Sequence, residues 1–114
     1  YPTRDGQVIV ADYSKPGRIV VFDPRTRKVT WEYAVRSGEA MLDHPSLAIE
    51  LPNGNVIAND DLRHRVIVID RASKRIVWQY GVTDRKGHAP GYLNSPDGLD
   101  VDLFYDWKAV VGKR

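Results

Sequence analysis

Between Pro45 and Tyr80 the apolar positions come in short runs, and polar turns break them apart. Ser46–Leu51 alternates in part and ends at Pro52-Asn53-Gly54; Asn55–Ala58 is short and apolar and gives way to the polar stretch Asn59–His64. Val66–Ile69 is a continuous apolar run closed by Asp70. After the turn Arg71–Lys74, Ile76–Tyr80 alternates, which predicts Ile76, Trp78 and Tyr80 on one face and Val77 and Gln79 on the other. Runs rich in Val, Ile, Trp and Tyr, separated by Asn-Gly and charged turns, predict four strands joined by hairpins. The unbroken third run predicts cover on both faces, and the half-polar fourth suits a sheet edge.

The same pattern stands upstream. Asp5-Gly6 matches Asn53-Gly54, Val8-Ile9 matches Val56-Ile57, and Asp12 matches Asp60. Arg18–Asp23 matches Arg65–Asp70, Thr26–Val29 matches Ser73–Ile76, and Trp31 and Tyr33 match Trp78 and Tyr80, 47 residues on. Downstream, Leu42 and Pro45 match Leu93 and Pro96. Taken in order, Tyr1–Arg4 reads as a lead-in. Asp5–Ala11, Ile19–Phe22 and Val29–Tyr33 read as the second to fourth strands of one unit, with loops at Asp12–Gly17, Asp23–Lys28 and Val35–His44. Pro45–Tyr80 is a complete unit, Gly81–Ser95 a long loop, and Asp97–Leu103 a first strand of a third unit, after which the pattern stops.

A four-stranded unit repeating every ~40–50 residues is the signature of a β-propeller blade. The expectation is therefore an all-β fold in which residues 1–114 form one repeat region. It holds about two four-stranded antiparallel blades, cut out of phase. Two blades do not close a ring of about four to eight. The ring is completed either by oligomerisation, most simply a homotrimer giving about six blades, or by the remainder of a longer propeller.

Pro45, Ala48-Ile49, Asn53-Gly54-Asn55, Val56-Ile57-Ala58, Asp60 and His64-Arg65-Val66 together resemble an NHL repeat. The likeness is partial at Asp5–Phe22, where Gly17 stands in place of the His, and in the last unit it extends only from Pro96 to Val101. The endings Lys28–Tyr33 and Arg75–Tyr80 are similar to the fourth strand of quinoprotein-type propellers. The resemblance implies a propeller. It is compatible with a non-catalytic module binding a protein or glycan, with part of a propeller enzyme (a lyase or quinoprotein-like oxidoreductase) whose site lies at the channel mouth, and with an RNA-binding module. Asp60, His64 and Arg65 are expected to tie the polar loop to a neighbouring blade.

Composition narrows this little. The chain has 114 residues, is 42% hydrophobic and carries a net charge of +2. Without cysteine there is neither a disulfide nor a thiolate metal site. No run of ~18 apolar residues suggests a membrane span. No signal-peptide pattern is visible, Tyr1 at the start suggests processing or trimming, and the compartment stays open.

Of the three histidines, His44, His64 and His88, none pairs at metal-ligand spacing. Asp60-Asp61 and Asp97, Asp100 and Asp102 lack the spacing of a calcium loop. No nucleophile elbow, phosphate loop or dinucleotide fingerprint occurs, so no cofactor is implied and whether the chain is an enzyme is undecided. The loops Asp12–Arg18, Val35–His44, Asn59–Arg65 and Gly81–Ser95 are expected to share one propeller face. They carry the candidate ligand-binding residues Tyr13, Arg36, His44, Arg63, His64, Arg85, His88 and Tyr92. Cations interleaved with aromatics suit an anion, a sugar or a nucleic acid. Trp31 and Trp78 are expected to pack between blades.

Overall fold

The structure, a computed structural model, describes residues 1–85. Seven strands follow one another: β1 (Val8–Asp12), β2 (Arg18–Asp23), β3 (Lys28–Ala34), β4 (Pro45–Glu50), β5 (Val56–Asp60), β6 (Arg65–Ile69) and β7 (Ile76–Tyr80). They form two antiparallel sheets, β1-β2-β3 and β4-β5-β6-β7, each a plain meander. The described part of the chain is thus all-β, with a single 3-10 turn at Asp61–Arg63 inside the polar stretch between β5 and β6. The expected third unit, Asp97–Leu103, lies outside the described residues.

The two sheets carry matching registers. Val8, Ile9, Val10, Ala11 and Asp12 face Phe22, Val21, Val20, Ile19 and Arg18. In the second sheet Val56, Ile57, Ala58, Asn59 and Asp60 face Ile69, Val68, Ile67, Val66 and Arg65. The entry into each sheet matches as well. Thr3 donates its N–H to the Gln7 carbonyl and Gly6 to the Thr3 carbonyl, as Leu51 does to Asn55 and Gly54 to Leu51. Gly6 and Gly54 supply the positive φ, 83° and 89°, that these turns require. Tyr1–Thr3 is therefore more than a lead-in: Pro2 bridges Val8, in the slot that β4 fills beside β5.

One expectation about faces is overturned. Val68 pairs with Trp78 but Ile69 pairs with Ile76, so Val77 is an extra residue in a β-bulge. The bulge reverses the alternation. Ile76 packs into the layer between the sheets, whereas Trp78 joins Leu51, Ile57 and Val68 on the opposite face. β3 has the same irregularity, with Val21 on Trp31 and Phe22 on Val29.

The core lies between the sheets. Ile9, Ile19, Val21 and Tyr33 of the first meet Ala48, Val56, Ala58, Ile67 and Ile69 of the second, and Leu42 from the connecting loop plugs one end. Trp31 closes the other end, its indole N–H donating to the Arg71 carbonyl at 2.8 Å. Sheet-on-sheet burial of branched aliphatics contributes ~25 cal/mol per Å² of apolar surface.

Candidate functional site

Four loops leave the sheets at one end, and main-chain hydrogen bonds stitch their described parts together. Gly17 N–H donates to the Leu42 carbonyl and His44 N–H to the Ser14 carbonyl, both at 2.8 Å. Leu62 donates to Asp43 (3.1 Å) and Asp84 to Arg63 (2.9 Å). Loops 13–17, 35–44, 61–64 and 81–85 thus form one continuous surface.

Two buried arginines hold that surface. Arg65 is fully sealed and donates Nε to Asp60 Oδ2 at 2.7 Å. Its Nη2 reaches the carbonyls of Glu39 (2.8 Å) and Met41 (3.0 Å), and its Nη1 reaches Glu39 Oε2, Gln79 Oε1 and Thr83 Oγ1. The other Asp60 oxygen accepts the Asp43 N–H at 2.7 Å. Arg63 grips Asp84 with Nε and Nη2, both at 3.0 Å, and sends Nη1 to the carbonyls of Gly38 and Met41, both at 2.7 Å. A planar five-donor guanidinium is the side chain that gathers several carbonyls from one loop. Burial pushes the Asp60 carboxyl above its usual range, and this outweighs the pull of the Asp43 N–H and Arg65. On the surface the sign is opposite: hydrogen bonding to Arg63 holds Asp84 below the ordinary carboxylate range.

The candidate residues fall into separate groups. Tyr13 is exposed and meets the His44 ring edge-on, with centroids 4.6 Å apart at 79°. His44, held at φ 56°, sets Nδ1 2.6 Å from Asp43 Oδ1. The carboxylate beside Nδ1 fixes the orientation of the ring. Arg36 is exposed and lines a cleft of about 400 Å³ with Pro16, Gly17, Arg18 and Glu32. Arg85 is exposed, and its N–H closes a turn onto the Val82 carbonyl. Arg63 is buried and engaged in the frame beneath the surface. His64 is half-buried and ends the 3-10 turn in the left-handed region at φ 57°. His88 and Tyr92 lie outside the described residues. Tyr13 and His44 are therefore brought together, while Arg36 stands apart at the cleft.

Asp43 and Glu39 were not anticipated. The adjacency Asp43-His44 was the available signal for the first; the second accepts from Arg65 through both its main-chain oxygen and its carboxylate, and no spacing pattern announces either. Among the described residues no three His, Asp or Glu side chains converge as a metal site would require. No helix there is long and apolar enough to cross a membrane. No family model matches the chain, and no curated protein matches it.

Proposed function

We propose that the chain is a non-catalytic binding or scaffold module of β-propeller type, akin to NHL-repeat proteins, which offers its loop surface to a protein, glycan or other ligand. The observation that carries this reading is the Arg63 and Arg65 frame. It spends two guanidiniums on fixing loop main chain and leaves Tyr13 and His44 together on the loop surface, with Arg36 exposed at the separate cleft. A rigid base under an exposed aromatic, an oriented imidazole and a cation is what a binding surface needs to keep its ordering cost low. The matching registers of the two sheets support consecutive blades.

The test is a ¹⁵N-labelled chain titrated with panels of acidic peptides, acidic oligosaccharides and a single-stranded RNA. Binding is expected to shift the amides of Tyr13, Arg36 and His44 and to spare Thr26 and Lys74 at the far turns. Tyr13→Ala with His44→Asn, a residue that tolerates the left-handed backbone at this position, should weaken it at least tenfold while circular dichroism shows the fold retained. Shifts confined to the far turns, or affinity untouched by the double variant, would refute the loop-face reading.

A further inference from the structure

We infer that the cleft between Arg18 and Arg36 receives an acidic peptide segment of a partner polypeptide, with a glutamate carboxylate set against both guanidiniums. The inference deepens the loop-surface reading and rests on it.

The second unit shows how a cleft of this kind is filled, because residues 38–41 lie across Arg63 and Arg65. Arg65 Nη1 donates to the Glu39 carboxylate at 3.1 Å, and Nη2 to the Glu39 and Met41 carbonyls at 2.8 and 3.0 Å. Thr83 Oγ1 donates to the same Glu39 oxygen, and Arg63 Nη1 to the Gly38 carbonyl. A single glutamate side chain and the carbonyls around it thus satisfy two arginines.

The first unit carries equivalent donors, turned to an open cleft of about 400 Å³ lined by Pro16, Gly17, Arg18, Glu32 and Arg36. The 47-residue offset sets Arg18 against Arg65, Glu32 against Gln79, Arg36 against Thr83 and Pro16 against Arg63. Arg18 gives Nε to Asp12 and Nη1 to Glu32, both at 3.0 Å, as Arg65 does to Asp60 and Gln79. Its Nη2, the group that in Arg65 takes two carbonyls, has no partner among the described residues. The Arg18 side chain is 51% exposed, that of Arg65 0%.

The second arginine has moved to the other wall. Pro16 has no donor to offer where Arg63 stands in the second unit, and Arg36 brings a guanidinium where that unit has Thr83. Arg36 is exposed, and its guanidinium has no partner among the described residues. The framework charges balance alike. Arg63 and Arg65 face Asp84 and Asp60; Arg18 faces Asp12 and Glu32, with Arg36 beside them. In the second unit that balance accepts a further carboxylate, from Glu39. A planar guanidinium takes a carboxylate and neighbouring carbonyls together, which a peptide supplies from adjoining residues and a simple anion does not.

The test uses the chain's own filling segment as probe. A peptide with the sequence of residues 37–42, Ser-Gly-Glu-Ala-Met-Leu, capped at both ends, is titrated into the full ¹⁵N-labelled chain. Saturable binding is expected to shift the arginine Nε–Hε signals of Arg18 and Arg36 and to spare buried Arg65 and Arg25 at the far turn. Replacing the peptide's glutamate (Glu39→Gln in the parent numbering) and Arg36→Ala in the chain should each weaken binding at least tenfold, with circular dichroism showing the variant folded. Arg36→Lys, which keeps the charge, should recover part of the loss. Equal affinity for the two peptides, or an Arg36→Ala chain that binds as the native does, would overturn the inference. So would the absence of saturable binding, which is also the result if another part of the chain fills the cleft. Peptide shifts at Tyr13 and His44 with none at Arg18 or Arg36 would overturn it too, while leaving the loop-surface reading standing.

Discussion

Trp31 reaches from the first sheet to the second: its indole N–H donates to the Arg71 carbonyl at 2.8 Å, and the Arg71 guanidinium sits 5.4 Å from its ring centroid. One side chain thus supplies a hydrogen bond, a cation–π contact and apolar area to the same junction. Trp31→Phe keeps most of the area but removes the donor, and should cost about 1–2 kcal/mol in urea unfolding. Trp31→Ala should cost about 3–5 kcal/mol. Equal losses for the two variants would deny the polar contacts a role.

Arg65 and Arg18 allow a sharper comparison, since they make equivalent ion pairs at opposite extremes of burial. Removing one partner of a buried pair strands the other and costs about 3–5 kcal/mol, whereas an exposed pair is worth about 0–1 kcal/mol. Arg65→Ala should therefore unfold the protein readily, while Arg18→Ala should barely move the urea midpoint. Comparable effects would mean that the Glu39 and Met41 carbonyls do not depend on Arg65.

Gly17 is buried against the neighbouring sheet. A Cβ there would lie 2.3 Å from Pro45 Cδ and 3.0 Å from the Ser14 carbonyl oxygen. The Pro45 ring has little room to yield, because it begins β4. Gly17→Ala is expected to cost about 1–3 kcal/mol as an overpacking substitution. It should also displace the His44 ring signals in the NMR spectrum, because Ser14 and Leu42 tie this loop to His44. A variant with native stability and unchanged His44 shifts would contradict the packing described.

The strands were legible because their cause is local. Apolar runs and turn residues near Asn53-Gly54 and Arg71–Lys74 mark them, and the observed bounds differ by a few residues at most. The face of Ile76 was not legible, since a two-against-one bulge at Val77 leaves the sequence alternation intact while reversing the side chains. The 3-10 turn at Asp61–Arg63 was hidden within a uniformly polar stretch. At the loop surface, Asp60 and Arg65 were readable as ties between units. Their partners were not, because the acceptors at Glu39 and Met41 are main-chain carbonyls and every residue has one. The departure from the repeat at Gly17 now has a physical cause: Pro45 occupies the space that a side chain would need.

Tyr33 carries a prediction about alkaline pH. Its ring is buried between the sheets, and its hydroxyl donates to the Ala40 carbonyl. Burial, which disfavours the phenolate, pushes its pKa from 10.0 to about 12; Arg65 opposes this and Asp60 adds to it. Because the folded value lies above the unfolded one, the stabilisation is fully present below pH 10. It is lost as pH rises from about 10 to about 12, where the unfolded chain gives up the proton and the folded chain retains it. At 1.36 kcal/mol per unit the loss approaches roughly 2–3 kcal/mol. Urea midpoints measured from pH 9 to 12 should fall along this course. Tyr33→Phe should flatten the fall, at the cost of about 1 kcal/mol at neutral pH for the missing hydrogen bond. An unchanged alkaline slope in Tyr33→Phe would show that another group governs the transition.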